Sequence, residues 1–384
     1  MENNLNEIFK NRYHKEHQYK YFAPGRVNLI GEHIDYNGGL VLPCAITSGT
    51  WLLVAPNNDG LIRFASVNFE DEYAEIELKD QYSKIGKSWY NYPLGVIHEL
   101  QQYGWQASGM DLLYYGNIPI GSGLSSSASI EVLTAYALND IFQIGLDKLE
   151  LVKLSKRTEN NFIGVNSGIM DQFAIAFGEQ NKAILLNCDT LQHKMVQCNL
   201  GDYVLAIINT NKHRELSESK YNERVAECQT ALKELQTAIS INYLCELTAD
   251  KFALHSHLIS NETNLRRATH VIKENDRVHQ ATKALNDGDL SEFGRLMYAS
   301  HQSLRELYEV SGKELDAVVD FCASYPHVIG ARMTGAGFGG CAIALLKKGQ
   351  ETDFAQQLSA YYFDKIGYHA TIYIQDIGNG PVKI

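Results

Sequence analysis

PIGSGLSSSAS, Pro119 to Ser129, joins an apolar segment to an amphipathic one, and the nature of that junction decides how the rest of the chain folds. Upstream, GMDLLYYGNIPI (Gly109 to Ile120) has the aliphatic and aromatic content of a strand. Downstream, SSASIEVLTAYALNDIFQ sets Ala128, Val132, Ala135, Tyr136 and Ile141 at helical spacings behind serines that can cap free N–H groups. A strand therefore runs through a glycine loop into the start of a helix. Small residues let the backbone approach a bound group, and a helix N-terminus offers unpaired N–H groups and a positive dipole end, so phosphate is the natural guest. Two familiar nucleotide motifs are excluded. A dinucleotide fingerprint needs glycine where Ser126 stands, and a Walker pattern ending in Gly86, Lys87 and Ser88 needs glycine where Gln81 stands. Taken alone, the loop reads first as a tight turn with a serine cap.

A second loop, MTGAGFGGC (Met333 to Cys341), places four glycines and a phenylalanine between the β-like segments VIGARMT and CAIALLK, more than a hairpin turn requires. A third cluster, GRVNLIGEHIDYNGG (Gly25 to Gly39), holds an arginine, two acids, a histidine and a tyrosine between apolar residues and a glycine pair.

Around these, the chain is ordinary globular material. Its 384 residues exceed one small core, and 45% hydrophobic with 21% charged residues leaves no room for extensive disorder. Strand-like segments (LVLPCAITSGTWLLVAP, LIRFASVNF, YAEIEL, KAILLNC, YVLAIINT) and three helical ones dominate the first half. Past about residue 210, long amphipathic helices take over, followed by a strand, strand, helix, strand tail. This shift places a domain boundary near residue 200, giving units 1–200 and 201–384. A net charge of -11 excludes a global field for nucleic acid or an anionic membrane, so any phosphate is bound locally. No apolar run reaches bilayer length, and no signal peptide is expected. The seven scattered cysteines form no C-x-x-C pair and read as reduced core residues of a cytoplasmic protein; HKEH and HSH lack the partners of a metal site.

In their order and spacing, the three motifs resemble the GHMP kinases, and GRVNLIGEHIDYNGG resembles the galactokinase signature. NSGIMDQFA and SLRELYEVS are similar to further galactokinase segments, so the resemblance spans essentially the whole chain. Ile34 departs from it, since threonine is common there. The resemblance implies an α+β, two-domain GHMP kinase fold: an N-terminal mixed-sheet domain like domain 2 of ribosomal protein S5, a C-terminal ferredoxin-like domain with added helices, and an active site in the cleft between them. It implies a monomer that transfers the γ-phosphate of ATP to the C1 hydroxyl of α-D-galactose, the first committed step of galactose metabolism. A sugar and ATP sensor without turnover, and an N-acetylgalactosamine kinase, stay open as alternatives.

The same resemblance distributes roles. Gly121, Ser122, Gly123, Leu124, Ser125, Ser126 and Ser127 would wrap the nucleotide phosphates, with Ser66 a further nucleotide contact. Ser127 and Glu159 would hold Mg2+, a hard ion suited to a hydroxyl, a carboxylate, waters and phosphates. Asp171 would accept the proton of the attacking hydroxyl. Its otherwise apolar segment demands pairing or a function for the carboxylate. Arg26 would pair with it and offset charge developing on the transferred phosphoryl group, although such pairing weakens a base. Glu32, His33, Ile34, Asp35 and Tyr221 would bind the sugar, the carboxylates accepting from its hydroxyls. An epimer that leaves such groups unpaired is penalised by about 1 to 3 kcal/mol per group.

Overall fold

The computed structural model describes residues 4–119, 123–165, 167–212 and 217–384. In chain order the strands of these residues are β1 (Tyr19–Asn28), β2 (Leu40–Val41), β3 (Pro43–Pro56), β4 (Leu61–Ser66), β5 (Ala74–Glu77), β6 (Met110–Gly116), β7 (Lys182–Asn187), β8 (His193–Gln197), β9 (Tyr203–Asn209), β10 (Val328–Thr334), β11 (Cys341–Lys347), β12 (Thr371–Gln375) and β13 (Val382–Lys383). The helices before residue 200 are α1 (Leu5–Tyr13), α2 (Asn91–Gln101), α3 (Ser126–Ile141), α4 (Lys148–Arg157) and α5 (Met170–Phe177). Those after it are α6 (Ser217–Leu235), α7 (Ala249–His255), α8 (Glu262–Asp287), α9 (Leu290–Ser303), α10 (Gly312–Ser324) and α11 (Glu351–Ile366).

The largest sheet has the order β13-β1-β3-β6-β4-β5 and is mixed, β4 and β6 being parallel and joined by a crossover that contains α2. Its central strand β3 is apolar on both faces, and the two-residue period of a strand sorts the side chains. Leu52 and Val54 face a core built with α2, α3, α4 and α5, while Trp51, Leu53 and Ala55 face Leu5 and Phe9 of α1. The polar N-terminal stretch hides that helix from a reading of the sequence, because two apolar residues four apart suffice to cover the sheet's outer face.

A second sheet, β10-β11-β9-β12, is antiparallel throughout, and its chain order of strand, helices, strand, strand, helix, strand is the ferredoxin-like arrangement with added helices. It carries the other large core together with the long helices; α8 starts where Asn261 accepts from the Asn264 N–H and stops at Gly288 in the left-handed conformation. Val27, Leu29, Ile30 and Ile34 of the Gly25–Gly39 cluster belong to this second core, so the cluster ties one body to the other. A small third sheet, β2-β7-β8, lies beside them, and β13 returns to pair with β1. The sequence patterns place most of these elements, but α1, α5, α7, β8 and β13 are findings of the structure.

Two helices predicted as continuous end in π-helical turns, Thr158–Ile163 after α4 and Leu304–Tyr308 after α9. Such wide turns re-aim side chains and recur at functional sites. Here they present Glu159 and Tyr308.

At one crossing, backbone touches backbone: a Cβ on Gly294 of α9 would lie 2.1 Å from the Ile329 carbonyl oxygen of β10. Gly294→Ala is therefore expected to destabilise the protein by about 2 kcal/mol, read as a lower urea midpoint, because the helix must lift off the sheet. An unchanged midpoint would contradict this packing.

Candidate active site

The geometry begins with a bulge. The β1–β3 register shifts between Pro24 and Arg26, where Pro24 has no N–H to donate, and a bulge of this kind redirects the next side chain. Gly25 leaves room there: a Cβ would sit 2.9 Å from the Leu124 carbonyl oxygen, to which the Arg26 N–H donates across 3.3 Å. The start of α3 is thus seated on the bulge. Arg26 forks onto Asp171, Nε to Oδ1 at 2.9 Å and Nη2 to Oδ2 at 2.8 Å, while Nη1 donates to the Gly123 carbonyl at 2.6 Å. Ser125, left-handed at φ 60 and standing just before α3, donates to Oδ2 of Asp171 instead of capping its helix. Asp171 Oδ1 therefore keeps room for one more donor.

Beside this pair lies a polar cavity of about 280 Å³ lined by Arg26, Glu32, His33, Asp35, Asp171 and Tyr221, with Gly335 and Ala336 of the second glycine loop on its wall. Asp35 offers its carboxylate there, near its own N–H and that of Tyr36. Burial raises its pKa to about 6, helped by Glu32 and Asp171 and opposed by the two N–H groups. Glu32 also reaches the wall, but protein donors already hold it: the Asn28 amide, the Thr334 hydroxyl at 3.0 Å and the Gly335 N–H at 2.6 Å. Burial pushes its carboxyl up and Arg332 pulls it back.

His33 differs from expectation. Its Nε2–H donates to the Ala336 carbonyl at 3.1 Å and its Nδ1 accepts from the Tyr36 hydroxyl at 2.9 Å, which in turn is 2.8 Å from the Tyr308 hydroxyl. Burial lowers its pKa to about 3, so the ring is neutral. Both nitrogens are occupied by the protein, and what His33 turns to the cavity is ring surface, alongside Tyr221 at 5.5 Å between centroids. Ile34 is fully buried in the second core and does not line the cavity; its substitution for a polar residue is a matter of packing.

On the other side of the loop is a more apolar cavity of about 170 Å³, walled by Phe69, Trp89, Tyr92 and Ile118 and floored by Ser66, Ser126 and Ser127. The rings of Phe69 and Trp89 lie nearly parallel, 6.5 Å apart. Ser127 and Glu159 meet, Oγ to Oε1 at 3.2 Å, and the other Glu159 oxygen accepts from Ser167 at 2.5 Å and Gln172 at 2.8 Å. The donor chemistry, one hydroxyl and one oriented carboxylate, suits a hard divalent ion completed by phosphates and water. Among the described residues no group of three His, Cys, Asp or Glu side chains gathers to hold a metal by itself.

Gly121 and Ser122 lie outside the described residues. Of the other predicted residues, the structure gathers Arg26, Glu32, His33, Asp35, Asp171 and Tyr221 at one cavity and Ser66, Ser126 and Ser127 at the other. Gly123 and Ser125 engage the pair of Arg26 and Asp171 between them, Leu124 is buried with its carbonyl on Arg26, and Glu159 joins Ser127. Sequence reasoning missed Asn28, Ser167, Gln172, Arg332 and Thr334, although four of these stand in quoted motifs and their polarity among apolar neighbours was a usable signal. It also missed Glu131 of α3, fully buried against Gln172, whose carboxyl is held well above the usual range by burial and by Glu159.

A loop at a helix start between two cavities, on a mixed sheet joined to a ferredoxin-like body, defines the GHMP kinases, and the family models agree. Residues 91–179 match the GHMP kinases N terminal domain and residues 281–364 the GHMP kinases C terminal region. Residues 7–56 match the galactokinase galactose-binding signature. Within that class the chain belongs to the galactokinase family: it is 50% identical to a galactokinase of Clostridium tetani over 99% of this chain and 98% of the relative. A galactokinase of Streptococcus thermophilus is also 50% identical, over 98% of this chain and 97% of its own. The crystal structure of Lactococcus lactis galactokinase complexed with galactose superposes with a TM-score of 0.93 at 46% identity, covering 100% of this chain and 99% of that one. Methanococcus jannaschii mevalonate kinase shares the fold, with a TM-score of 0.71 at 21% identity over 95% of this chain and 99% of that one.

Proposed function

We propose that this chain phosphorylates galactose at its C1 hydroxyl with ATP, giving α-D-galactose 1-phosphate and ADP. The observation that carries the reading is the fork between Arg26 and Asp171, set on the wall of the polar cavity and tied to the start of α3. Galactose occupies that cavity, with Asp35 and Glu32 accepting from its hydroxyls and Tyr221 closing one side. The base of ATP lies among the rings of the second cavity, and its phosphates reach the N–H groups at the start of α3.

The attacking hydroxyl donates to Asp171 at Oδ1, the oxygen with capacity to spare, and Arg26 offsets the negative charge of the phosphoryl group in transit. Ser127 and Glu159 are the residues that would hold Mg2+, which when bound neutralises charge on the phosphate oxygens. Gln172 and Ser167 orient Glu159 for it. A cytoplasmic setting is supported by the cysteines, which form no disulfide among the described residues, five of the seven being buried. Among the described residues no helix is long and apolar enough to cross a membrane.

Purified protein with galactose, ATP and magnesium should release ADP, more slowly with N-acetylgalactosamine or glucose. No ADP above a sugar-free control would overturn the reading.

The Asp35 carboxyl adds a dependence on pH. Its pKa near 6 in the free protein must fall when sugar hydroxyls donate to the carboxylate, so protonation competes with galactose. The galactose KM should be flat above about pH 7 and rise roughly tenfold by pH 5, one unit below that pKa. An equal KM at both ends would remove Asp35 from this role.

A further inference from the structure

The glycine loop after β10 has the small-residue composition of a phosphate-binding loop, yet Thr334 and Gly335 at its start are bonded to a carboxylate. The Thr334 hydroxyl lies 3.0 Å from Glu32 Oε1 and 2.9 Å from the Asn28 carbonyl, and the Gly335 N–H donates to the same Glu32 oxygen at 2.6 Å. Behind them stands Arg332, fully buried in β10. Its Nη1 donates to the carbonyls of Asn28 at 3.3 Å and Leu29 at 3.2 Å, its Nε donates to Ser300 at 3.2 Å, and its Nη2 sits 3.5 Å from Glu32 Oε2. Ser300 in turn donates to Glu274 at 2.6 Å, and Glu274 accepts the Gly31 N–H at 3.1 Å and pairs with Arg277 at 2.6 Å.

One guanidinium thus meets both ends of the Asn28–Glu32 turn: it hydrogen-bonds the backbone carbonyls at the start and lies in ion-pair range of the carboxylate at the end, where its Nη2 makes no hydrogen bond among the described residues. No carboxylate but that of Glu32 lies within ion-pair range of Arg332 among the described residues. A buried carboxylate needs a cation or several donors to stay charged and aimed, and the planar fork of arginine meets carbonyls and carboxylate together as lysine does not. Burial does push the Glu32 carboxyl up, with Arg332 the largest opposing influence.

We infer that Arg332 is a positioning residue for sugar recognition: through Glu32 and the Asn28–Leu29 carbonyls it fixes the sugar-facing wall, and the segment Arg332–Gly335 that opens the second glycine loop serves the sugar rather than the nucleotide. This rests on the galactokinase reading above.

The test is a double-mutant cycle on ligand affinity, with galactose and a non-hydrolysable ATP analogue titrated by calorimetry into wild type, Arg332→Lys, Glu32→Gln and the double variant. Arg332→Lys should weaken galactose about tenfold and leave the nucleotide within about twofold; in the Glu32→Gln background the same change should add less than about threefold. Equal losses for both ligands, or a full additional tenfold loss in the Glu32→Gln background, would overturn the inference. Thr334→Val, a smaller change, runs in the same cycle, should cost galactose about threefold only while Glu32 is present, and decides the matter if Arg332→Lys does not fold. Wild-type protein that binds no galactose would sink the sugar reading itself, whereas a binding wild type with an additive cycle sinks only the role of Arg332.

Discussion

Asp171→Asn is expected to lower kcat for galactose phosphorylation by about 10³-fold while leaving galactose affinity within about threefold. The reasoning is atomic. Oδ2 of Asp171 accepts from both Arg26 Nη2 and Ser125, so an asparagine that keeps those two bonds must turn its amide nitrogen to the position of Oδ1. There it faces Arg26 Nε, donor against donor, and the one oxygen free to take the substrate's hydroxyl is lost. Shape and volume are preserved, and Asp35 and Glu32 still hold the sugar, which is why binding should survive. A variant that keeps more than about a tenth of wild-type kcat would remove Asp171 from proton transfer. Single-turnover measurements with saturating galactose separate the chemical step from product release.

Arg26→Met should lower kcat by about 10³-fold as well, but with a second signature, a higher ATP KM. Its guanidinium does two things at once. The fork on Asp171 supplies charge where the phosphoryl group passes, and Nη1 holds the Gly123 carbonyl, fixing the loop that opens α3. Methionine removes both, whereas Arg26→Lys restores a charge without the fork and should recover about tenfold of the loss. If Arg26→Met lost kcat but kept its ATP KM, the loop contact would be incidental; if kcat stayed within about tenfold, the pair would be a plain salt bridge.

How much of this could be read in the chain depends on how local each feature is. Strand β3, helix α3 and the long C-terminal helices follow from periodicity over a dozen residues, and the patterns find them. Helix α1 shows two buried residues in nine, and β13 two residues in all, so neither has a period to detect. Asp171 stands out because charge in apolar company is conspicuous, whereas Arg26 and Asp35 are found through the resemblance of their motif to a known family. His33 is the instructive case. A polar residue in a polar motif invites a ligand, but its two nitrogens are taken by Tyr36, three residues on, and by Ala336, some three hundred residues away. No local pattern carries the second partner. Arg332 is invisible for the same reason: in the sequence it is one cation in a strand, and only the fold sets it behind Glu32.

The polar cavity draws its walls from both large cores: Arg26 and Asp171 from the first sheet's body, Tyr221, Gly335 and Ala336 from the second. A molecule seated there acts as a clasp that adds to the contacts already joining the two bodies. By mass action, galactose at a hundred times its dissociation constant would add about 2.7 kcal/mol against unfolding, shared by both. Small sugars that bind without reacting would then rescue weakened variants in either body, acting as chaperones of the whole protein even as they compete with galactose for its site.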